Sequence, residues 1–400
     1  MKVAVVRETF PGERRVALVP DLIPSLAKAG WQVLVEPGAG IASGFNDVDY
    51  QAKGAEIVAD RAAAFAQADV VLQVRTLGTN AAEGRADLDL LRKGLVIVGL
   101  CDPLGNPAAI KELGDRGAIV FAMELIPRIT RAQSMDVLSS MATISGYKAV
   151  LLAANNLPKL FPMLMTAAGT LKAAKVLVLG AGVAGLQAIA TSRRLGAIVQ
   201  AYDVRPVVKE QIESLGAKFV DLQIDTAGAE DKGGYAKQLS EDQIRLQQER
   251  LAMVAGDCDV CISTAAIPGK ASPILLTADA VHRMKSGSVI VDLAAERGGN
   301  CELTKADETV FVNGVTILGP TNLPAEVPQH ASQMYAKNLV TFLLHLTKKG
   351  ELELDLKDEI IRETLAAKDG QVQNQRLRDT LGLEPLTLPP SSPPIDHLAN

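Results

Sequence analysis

The stretch VLVLGAGVAG, residues 176–185, decides the fold. An apolar run typical of a buried parallel strand leads into Gly180, Gly182 and Gly185, spaced as G-x-G-x-x-G, and a helical pattern follows. In this context the first glycine allows a tight turn, the second lets a pyrophosphate approach the backbone, and the third lets the helix pack on the strand. Free N–H groups and the dipole at the helix start favour phosphate. The stretch predicts a dinucleotide-binding βαβ unit.

Asp203 supports this prediction because it ends the next predicted strand, about twenty residues beyond the first glycine. Its carboxylate can accept hydrogen bonds from both ribose hydroxyls and would repel a 2′-phosphate. NAD(H) is therefore favoured over NADP(H). Arg205 could instead serve a phosphate, but we prefer to interpret it as a solvated loop charge.

Short apolar runs alternate with helical patterns along most of the chain, as in βαβ units with a parallel sheet. The predicted strands are Val3–Val6, Trp31–Val35, Val70–Val74, Leu95–Leu100, Ile119–Met123, Val176–Leu179, Ile198–Tyr202, Lys218–Asp221, Val260–Thr264, Val289–Asp292 and Thr316–Leu318. The predicted helices between the earlier strands are Leu22–Ala29, Asp60–Ala66, Ala82–Leu91 and Pro107–Arg116. The sequence predicts an α/β fold with two doubly wound, Rossmann-like parallel-sheet domains joined by long helices.

Long helical patterns run from Ser134 to about Asn156 and over Val327–Leu346, with a third over 354–366. They would let the C-terminal part fold back on the first domain. The predicted domains are 1–135 with 328–384, a nucleotide domain over 136–327, and a proline-rich tail over 385–400. The tail is either a frayed end or a tether.

Composition excludes several function classes. With 48% hydrophobic, 22% charged and only 4% aromatic residues, the chain is a globular protein with an aliphatic core. A net charge of −5 without like-charge blocks or aromatic–basic interleaving argues against nucleic-acid binding. The four cysteines indicate a reducing compartment, and Cys258 and Cys261 are interpreted as structural, so we predict no metal site. We expect no signal peptide and no direct membrane insertion.

Two segments of the second domain could add to the site. A long connection after Asp221 is flexible and carries Tyr235, which suggests a lid over the nucleotide or, alternatively, a surface insertion. In VDLAAERGGNCE, residues 291–302, Asp292, Glu296 and Arg297 are either catalytic or an ion pair with turn residues.

The stretch PRITRAQSMD, residues 127–136, is chemically unusual. It contains two arginines, a glutamine and an aspartate, but no histidine or lysine. It could therefore hold a polar ligand without supplying the usual general acid or base. The alternative is an N-terminal cap, with Ser134 or Asp136 beginning the helix and the arginines as solvated charges.

Four stretches, in order, resemble the alanine dehydrogenase and pyridine-nucleotide transhydrogenase superfamily. They are RETFPGERRVALVP, the VLVLGAGVAG…AYD fingerprint, TAAIPGK and VDLAAERGG, and the resemblance spans essentially residues 1–380. Within it, PRITRAQSMD resembles the Arg-Gln-Asp loop of the NAD(H)-binding component of proton-translocating transhydrogenase. The resemblance implies that Arg128, Gln133 and Asp136, with Ser139, hold the nicotinamide carboxamide and its ribose.

The motif and the resemblance together predict a set of cofactor-binding residues, of which the first three are also the predicted catalytic residues. They are Arg128, Gln133, Asp136, Ser139, Gly180, Gly182, Val183, Ala184, Gly185, Asp203, Val204, Arg205, Tyr235, Thr264 and Ala265.

The resemblance also implies partners. Hydride transfer between two nicotinamides needs close approach, water exclusion and fixed orientation, but no acid or base. With one strong dinucleotide fingerprint, the chain should bind NAD(H), while NADP(H) binds a partner subunit and membrane-spanning subunits move the proton. We expect a homodimer in the cytoplasm, attached peripherally to the inner membrane through those subunits. A single polypeptide with membrane helices would continue well past residue 400, so we expect a separate nucleotide subunit.

Two alternatives stay open. An alanine dehydrogenase should carry a lysine and a histidine where this chain has Gln73 and approximately Cys101, since it must bind a carboxylate and move a proton. Arg15 remains as a possible carboxylate anchor, although a structural role is favoured. The other alternative is an NAD(H)-sensing module without turnover.

Overall fold

The computed structural model describes residues 1–224, 240–267 and 269–386. They form two compact units, one comprising Met1–Ser140 with the described residues from Ala325 onward, the other Met141–Pro324. Tyr235, on which the lid hypothesis rests, lies outside the described residues, as does the proline-rich tail from residue 387.

The first unit contains an eight-stranded sheet in the order β19-β18-β6-β5-β4-β1-β2-β3, in which β1 to β6 are parallel. Strand β18 runs antiparallel to β6, and β19 runs antiparallel to β18. Its strands are β1 (Lys2–Val5), β2 (Gln32–Val35), β3 (Glu56–Ile57), β4 (Val70–Arg75), β5 (Val96–Leu100), β6 (Ile119–Ala122), β18 (Leu365–Lys368) and β19 (Gln371–Val372). The strand order reverses between β1 and β4, which makes the sheet doubly wound.

Seven helices belong to this unit. They are α1 (Ile23–Lys28), α2 (Asp47–Ala52), α3 (Arg61–Gln67), α4 (Pro107–Asp115), α10 (Pro328–His345), α11 (Glu359–Thr364) and α12 (Gln375–Thr380). A small hairpin, β16 (Thr347–Lys348) and β17 (Glu351–Leu352), follows α10. The long helix α10 covers the sheet: Phe342 meets Phe121 of β6 edge to face at 5.3 Å between ring centroids, and the Tyr335 hydroxyl donates to the Gln73 carbonyl at 2.9 Å.

The second unit contains a seven-stranded sheet in the order β11-β10-β9-β12-β13-β15-β14, parallel except for β14. Its strands are β9 (Lys175–Leu179), β10 (Ile198–Tyr202), β11 (Lys218–Phe219), β12 (Val260–Ser263), β13 (Val289–Asp292), β14 (Thr309–Val312) and β15 (Val315–Leu318). A separate hairpin consists of β7 (Leu164–Thr166) and β8 (Gly169–Leu171). Its helices are α5 (Val137–Asn156), which begins in the first unit, α6 (Val183–Arg194), α7 (Lys209–Ser214), α8 (Glu241–Gly256) and α9 (Ala278–Arg283).

Among the described residues, α5 is the one helix with the length and mean hydropathy, 1.4, of a membrane span. This is weak evidence, because the core helices of soluble proteins have the same properties. Ala149, Val150 and Ala153 are fully buried in the aliphatic core of the second unit, together with Val176 and Val178 of β9. Burial accounts for the apolar residues on this face of α5, whereas Leu138 and Tyr147 of the same helix are exposed.

The predicted α/β class with two doubly wound sheets is confirmed, but three predicted elements differ. The predicted helix over Ala82–Leu91 is a 3-10 helix at Glu83–Leu90. The long helix begins as an α-helix only at Val137, because Thr130–Met135 forms a 3-10 helix before it. The helix predicted over 354–366 is confirmed only over Glu359–Thr364 and is wrong on either side: Leu365 starts β18, which pairs with β6 and buries apolar side chains in the sheet.

Candidate functional site

The glycine loop of the second unit has the geometry that the motif predicts. Gly180 follows β9 with a φ of +92°, which favours glycine, and its N–H donates to the Tyr202 carbonyl at 2.8 Å. A Cβ on Gly185 would lie 1.8 Å from the Gly180 carbonyl oxygen, so helix and strand approach as closely as a glycine permits. A Cβ on Gly182 would meet nothing within 4 Å. The exposed side of Gly182 is thus open to a ligand.

The start of α6 is suited to a pyrophosphate. Gly182 occupies its N-cap position and supplies no side-chain cap, and Val183 is exposed while Ala184 is half-buried. The first-turn N–H groups of a twelve-residue helix therefore lie beside the open face of the loop. The residues that the sequence predicts for phosphate binding, from Gly180 to Gly185, fit a dinucleotide.

Asp203 lies at the carboxyl end of β10, as predicted, and is only 7% exposed. One carboxylate oxygen accepts the Ala181 N–H at 2.7 Å, which ties the end of β10 to the glycine loop. The Arg205 guanidinium binds both oxygens of the same carboxylate through Nε and Nη2, each at 2.9 Å. The interpretation of Arg205 as a solvated loop charge is therefore wrong, because its side chain is 17% exposed and ion-paired.

The loop after β12 brings Thr264 and Ala265 to the glycine turn. The Thr264 hydroxyl donates to the Gly180 carbonyl at 3.1 Å, so this predicted residue lies directly against the first glycine. Asn300 holds the loop in place. Its Oδ1 accepts the Ala265 N–H at 2.9 Å, and its Nδ2 donates to the carbonyls of Ala265 and Pro273, both at 2.8 Å.

Asn300 was missed because the sequence alone does not reveal these long-range contacts. The one signal in the sequence is an amide side chain directly after Gly298 and Gly299, in a turn expected at the carboxyl end of a strand. The neighbouring Asp292 is fully buried and accepts hydrogen bonds from five groups, including Ser263 Oγ at 2.9 Å and the Asn300 N–H at 2.7 Å. It is saturated by structural contacts, which supports the turn interpretation over the catalytic one.

A cavity of about 160 Å³ opens next to the glycine loop, lined in part by Ser145, Ala184, Thr264 and Thr321. Helix α5 reaches this point because Gly146 packs against α6: a Cβ there would lie 2.1 Å from the Ala184 carbonyl oxygen. The cavity includes two of the predicted cofactor-binding residues. It extends the open face of the glycine loop within the second unit.

The Arg-Gln-Asp loop lies in the first unit, where its 3-10 helix buries Ala132 and Met135 and exposes Arg128 and Gln133. Asp136 accepts the Ser139 N–H at 2.9 Å and the Ser139 hydroxyl at 2.5 Å. The alternative of a capping role is therefore confirmed for Asp136, since its carboxylate satisfies a first-turn N–H of α5. The exposed amide of Gln133 has no such structural contact among those described.

The C-terminal helices fix this loop. The Asn338 Nδ2 donates to the Ser134 carbonyl at 2.9 Å from a buried position on α10. Arg131 forms an ion pair with Asp358 at 2.7 Å between Nη1 and Oδ2, and Asp358 caps α11 through the Ile360 N–H. These supports were missed as well, because they join residues more than two hundred positions apart.

At the carboxyl edge of the first unit's sheet, glutamate side chains accept hydrogen bonds from the backbone N–H groups. Glu8 accepts the N–H groups of Val74 and Arg75 at 2.6 and 3.0 Å, and Glu124 accepts those of Cys101 and Asp102, both at 2.7 Å. Carboxylates fill the edge where open α/β sheets otherwise bind ligands. This arrangement disfavours a second anionic nucleotide here.

The positions that should distinguish an amino-acid dehydrogenase are also engaged. The Gln73 amide donates to Asp87 at 2.9 Å, and burial raises the pKa of the Cys101 thiol well above its usual range. The Arg15 guanidinium binds Glu13 through Nε at 2.8 Å and Nη2 at 2.6 Å, both side chains being buried. Arg15 thus has a structural ion pair, as the sequence interpretation favoured.

Glu8 should make the stability of the protein depend on pH. Burial raises its pKa from 4.5 to about 7, because desolvation disfavours the charged form. Glu8 makes its full contribution to the free energy of unfolding, up to about 3 kcal/mol, below pH 4.5. That contribution is lost as the pH rises through about 7. We expect Glu8→Gln to flatten the decline between pH 5 and 8 in urea unfolding, relative to the exposed control Glu83→Gln. Parallel pH curves for the two variants would contradict this.

Comparison with known proteins covers nearly the whole chain. Residues 4–145 match the model of the alanine dehydrogenase/PNT N-terminal domain, and residues 149–375 that of the alanine dehydrogenase/PNT C-terminal domain. The chain is 45% identical over 380 residues to a Rhodospirillum rubrum protein named as the first part of NAD(P) transhydrogenase subunit alpha, covering 94% of this chain and 99% of the relative. It is 28% identical over 392 residues to alanine dehydrogenase 2 of Staphylococcus aureus, covering 96% and 97%.

The structural comparison agrees with the sequence comparison. The solved transhydrogenase from Sinorhizobium meliloti matches with a TM-score of 0.81 and 42% identity, over 94% of this chain and 99% of that one. The resemblance inferred from the motifs is confirmed, and the higher identity lies with the transhydrogenases. The chain belongs to the alanine dehydrogenase/PNT family and, within it, groups with the alpha subunits of NAD(P) transhydrogenase.

Proposed function

We propose that this chain is the NAD(H)-binding subunit of a proton-translocating, Re/Si-specific NAD(P) transhydrogenase. Hydride passes directly between NADH bound here and NADP⁺ bound on a partner subunit. The observation that carries the proposal is the glycine loop, whose open face at Gly182 lies beside the carboxylate of Asp203. A carboxylate at that position suits a ribose diol and disfavours a 2′-phosphate.

In this proposal the first unit supplies the residues that orient the nicotinamide. Arg128 and Gln133 offer exposed donors to the carboxamide, and the Asp136–Ser139 pair offers polar groups to the ribose. The cofactor supplies the redox chemistry when bound, and the hydride carries both electrons. No heteroatom gains or loses a proton, so these side chains need only bind, orient and exclude water.

Proton translocation belongs to the complex and not to this chain. We propose that membrane-spanning and NADP(H)-binding subunits are its partners, and that the chain is cytoplasmic and attached peripherally to the inner membrane through them. Glu8 and Glu124 already accept the backbone N–H groups at the carboxyl edge of the first unit's sheet, which supports binding of one dinucleotide per chain. No nucleic-acid partner is proposed.

The test compares two reactions of the purified chain. With an NADP(H)-binding partner added, we expect hydride exchange between NADPH and an oxidised NAD analogue. Without a partner, pyruvate- and ammonia-dependent oxidation of NADH should be absent. Activity in the second assay would restore the alanine dehydrogenase alternative. NADH binding without hydride exchange in the first assay would favour a sensing module.

Gln133→Asn should damage hydride transfer more than NADH binding. Shortening the side chain by one methylene withdraws its amide from the nicotinamide, while the glycine loop keeps the adenosine half bound. We expect turnover with the partner to fall at least about tenfold and the Kd for NADH to change less than about threefold. Gln51→Asn, an exposed position on α2, is the matched control. Equal losses in turnover and affinity would mean that Gln133 acts in binding.

We also propose a homodimer, for which the hairpin β7–β8 offers a surface. Met165 and Leu171 on it are 79% and 51% exposed, and Met163, directly before β7, is 57% exposed, so apolar side chains cluster on its surface. Met165→Asp should shift the chain toward the monomer in sedimentation velocity. Phe311→Asp, at a 73% exposed position on β14, is the matched control. Dissociation by Phe311→Asp instead would place the contact in the segment after Val289.

A further inference from the structure

We infer that Arg205 is a specificity-determining residue, whose guanidinium is withheld from a nucleotide 2′-phosphate by its ion pair with Asp203. The inference deepens the proposed function, since it rests on the NAD(H) site of the second unit. The ion pair as a whole, and not either side chain alone, would determine which nucleotide binds.

The pair occupies the position that a ribose diol requires. Asp203 accepts the N–H of Ala181 at 2.7 Å, the N–H of Arg205 at 2.9 Å and two guanidinium donors at 2.9 Å. A carboxylate offers about four acceptor sites, so these four contacts saturate it. A ribose diol can bind Asp203 only by displacing the guanidinium. NAD(H) binding is thus an exchange of partners on one carboxylate.

The exchange is possible because the pair is local and only partly enclosed. Arg205 lies two residues after Asp203, and its side chain is 17% exposed, so it can turn outward without unfolding the loop. The Ala181 contact remains during that exchange and keeps the carboxylate aligned with the glycine loop.

The same geometry explains why the arginine does not select NADP(H). A guanidinium binds phosphate strongly through paired N–H donors. Here Nε and Nη2 of Arg205 both donate to Asp203, and the Asp203 carboxylate would repel an incoming 2′-phosphate. Removing the charge of Asp203 should therefore both end the repulsion and release Arg205.

Asn is the informative replacement at position 203. Its Oδ1 can still accept the Ala181 N–H, so the glycine loop keeps its tie, but its neutral amide no longer holds a guanidinium by charge. Arg205→Ala and the double variant Asp203→Asn/Arg205→Ala complete a thermodynamic cycle. Asp279→Asn, combined with Arg283→Ala, is the matched control, because these residues form an exposed pair on α9.

The experiment titrates each full-length variant with NADH and with NADPH at one ionic strength, following nucleotide fluorescence. For Asp203→Asn we expect the Kd for NADPH to fall at least about tenfold and the Kd for NADH to rise about tenfold. For Arg205→Ala we expect tighter NADH binding, because no internal ligand competes for Asp203. The double variant should keep the part of the NADPH gain that comes from ending the repulsion and lose the part that the guanidinium supplies.

Two outcomes would overturn the inference. If the double variant bound NADPH as tightly as Asp203→Asn, the guanidinium would play no part in phosphate selection. If Arg205→Ala weakened NADH binding, Arg205 would hold the cofactor directly. Failure of the unaltered chain to bind NADH would instead contradict the proposed function, while the NADPH titration of Asp203→Asn would still test the pair.

Discussion

Gly182→Ala should remove most of the affinity for NAD(H) while leaving the protein folded. The backbone at Gly182 has φ −75° and ψ −169°, which alanine adopts without strain. A Cβ there would meet no atom of the protein within 4 Å, so the methyl group would project into the space where the pyrophosphate must approach. We expect the Kd for NADH to rise at least about tenfold.

Two measurements on the same sample check this expectation. Fluorescence titration gives the NADH affinity, and thermal unfolding without nucleotide gives the stability, which should match that of the unaltered chain. A folded Gly182→Ala variant with normal NADH affinity would mean that the dinucleotide does not lie on this loop.

Gly185→Ala should have the opposite result: a large loss of stability. Its Cβ would lie 1.8 Å from the Gly180 carbonyl oxygen, and neither backbone segment can move without separating α6 from β9. Overpacking of this kind costs about 1–3 kcal/mol or more, which should appear as a lower midpoint in urea unfolding. NADH binding should weaken as well, because the displaced helix carries the N–H groups that face the phosphates.

The pair of variants separates the roles of two glycines in one motif. The same added methyl group should affect the ligand at position 182 and the fold at position 185. If Gly185→Ala were as stable as the unaltered chain, the close packing of α6 on β9 would not be the reason for its third glycine.

Local patterns predicted the fold class and the nucleotide loop correctly because their causes are local. The glycine spacing, the apolar run of β9 and the carboxylate after β10 all act within one βαβ unit. The segment over 354–366 failed for the opposite reason. Leu365 and Ala366 are helix formers by composition, but pairing of β18 with β6 overrides that propensity.

The same difference between local and long-range causes applies to the candidate site. The sequence predicted Asp203 as a site residue from its place at a strand end, where ligands bind in open sheets, and the structure brings it to the glycine loop. It could not identify Asn300 or Asn338, since each acts on a backbone group outside its own segment, 35 and 204 positions away in the chain. The interpretation of Arg205 failed because its charge is balanced by a neighbour, which depends on the backbone turn between them.

The antiparallel strand β18 has a consequence for how the protein is made. During synthesis β6 is complete long before the ribosome reaches Leu365. The edge of the sheet at β6 therefore stays unpaired while the second unit is being translated. The second unit is contiguous in sequence and can fold during that time, whereas the first unit cannot complete its sheet until β18 has been synthesised. Nascent or prematurely terminated chains should therefore be the aggregation-prone form of this protein, because the unpaired edge of β6 can pair with a strand of another chain.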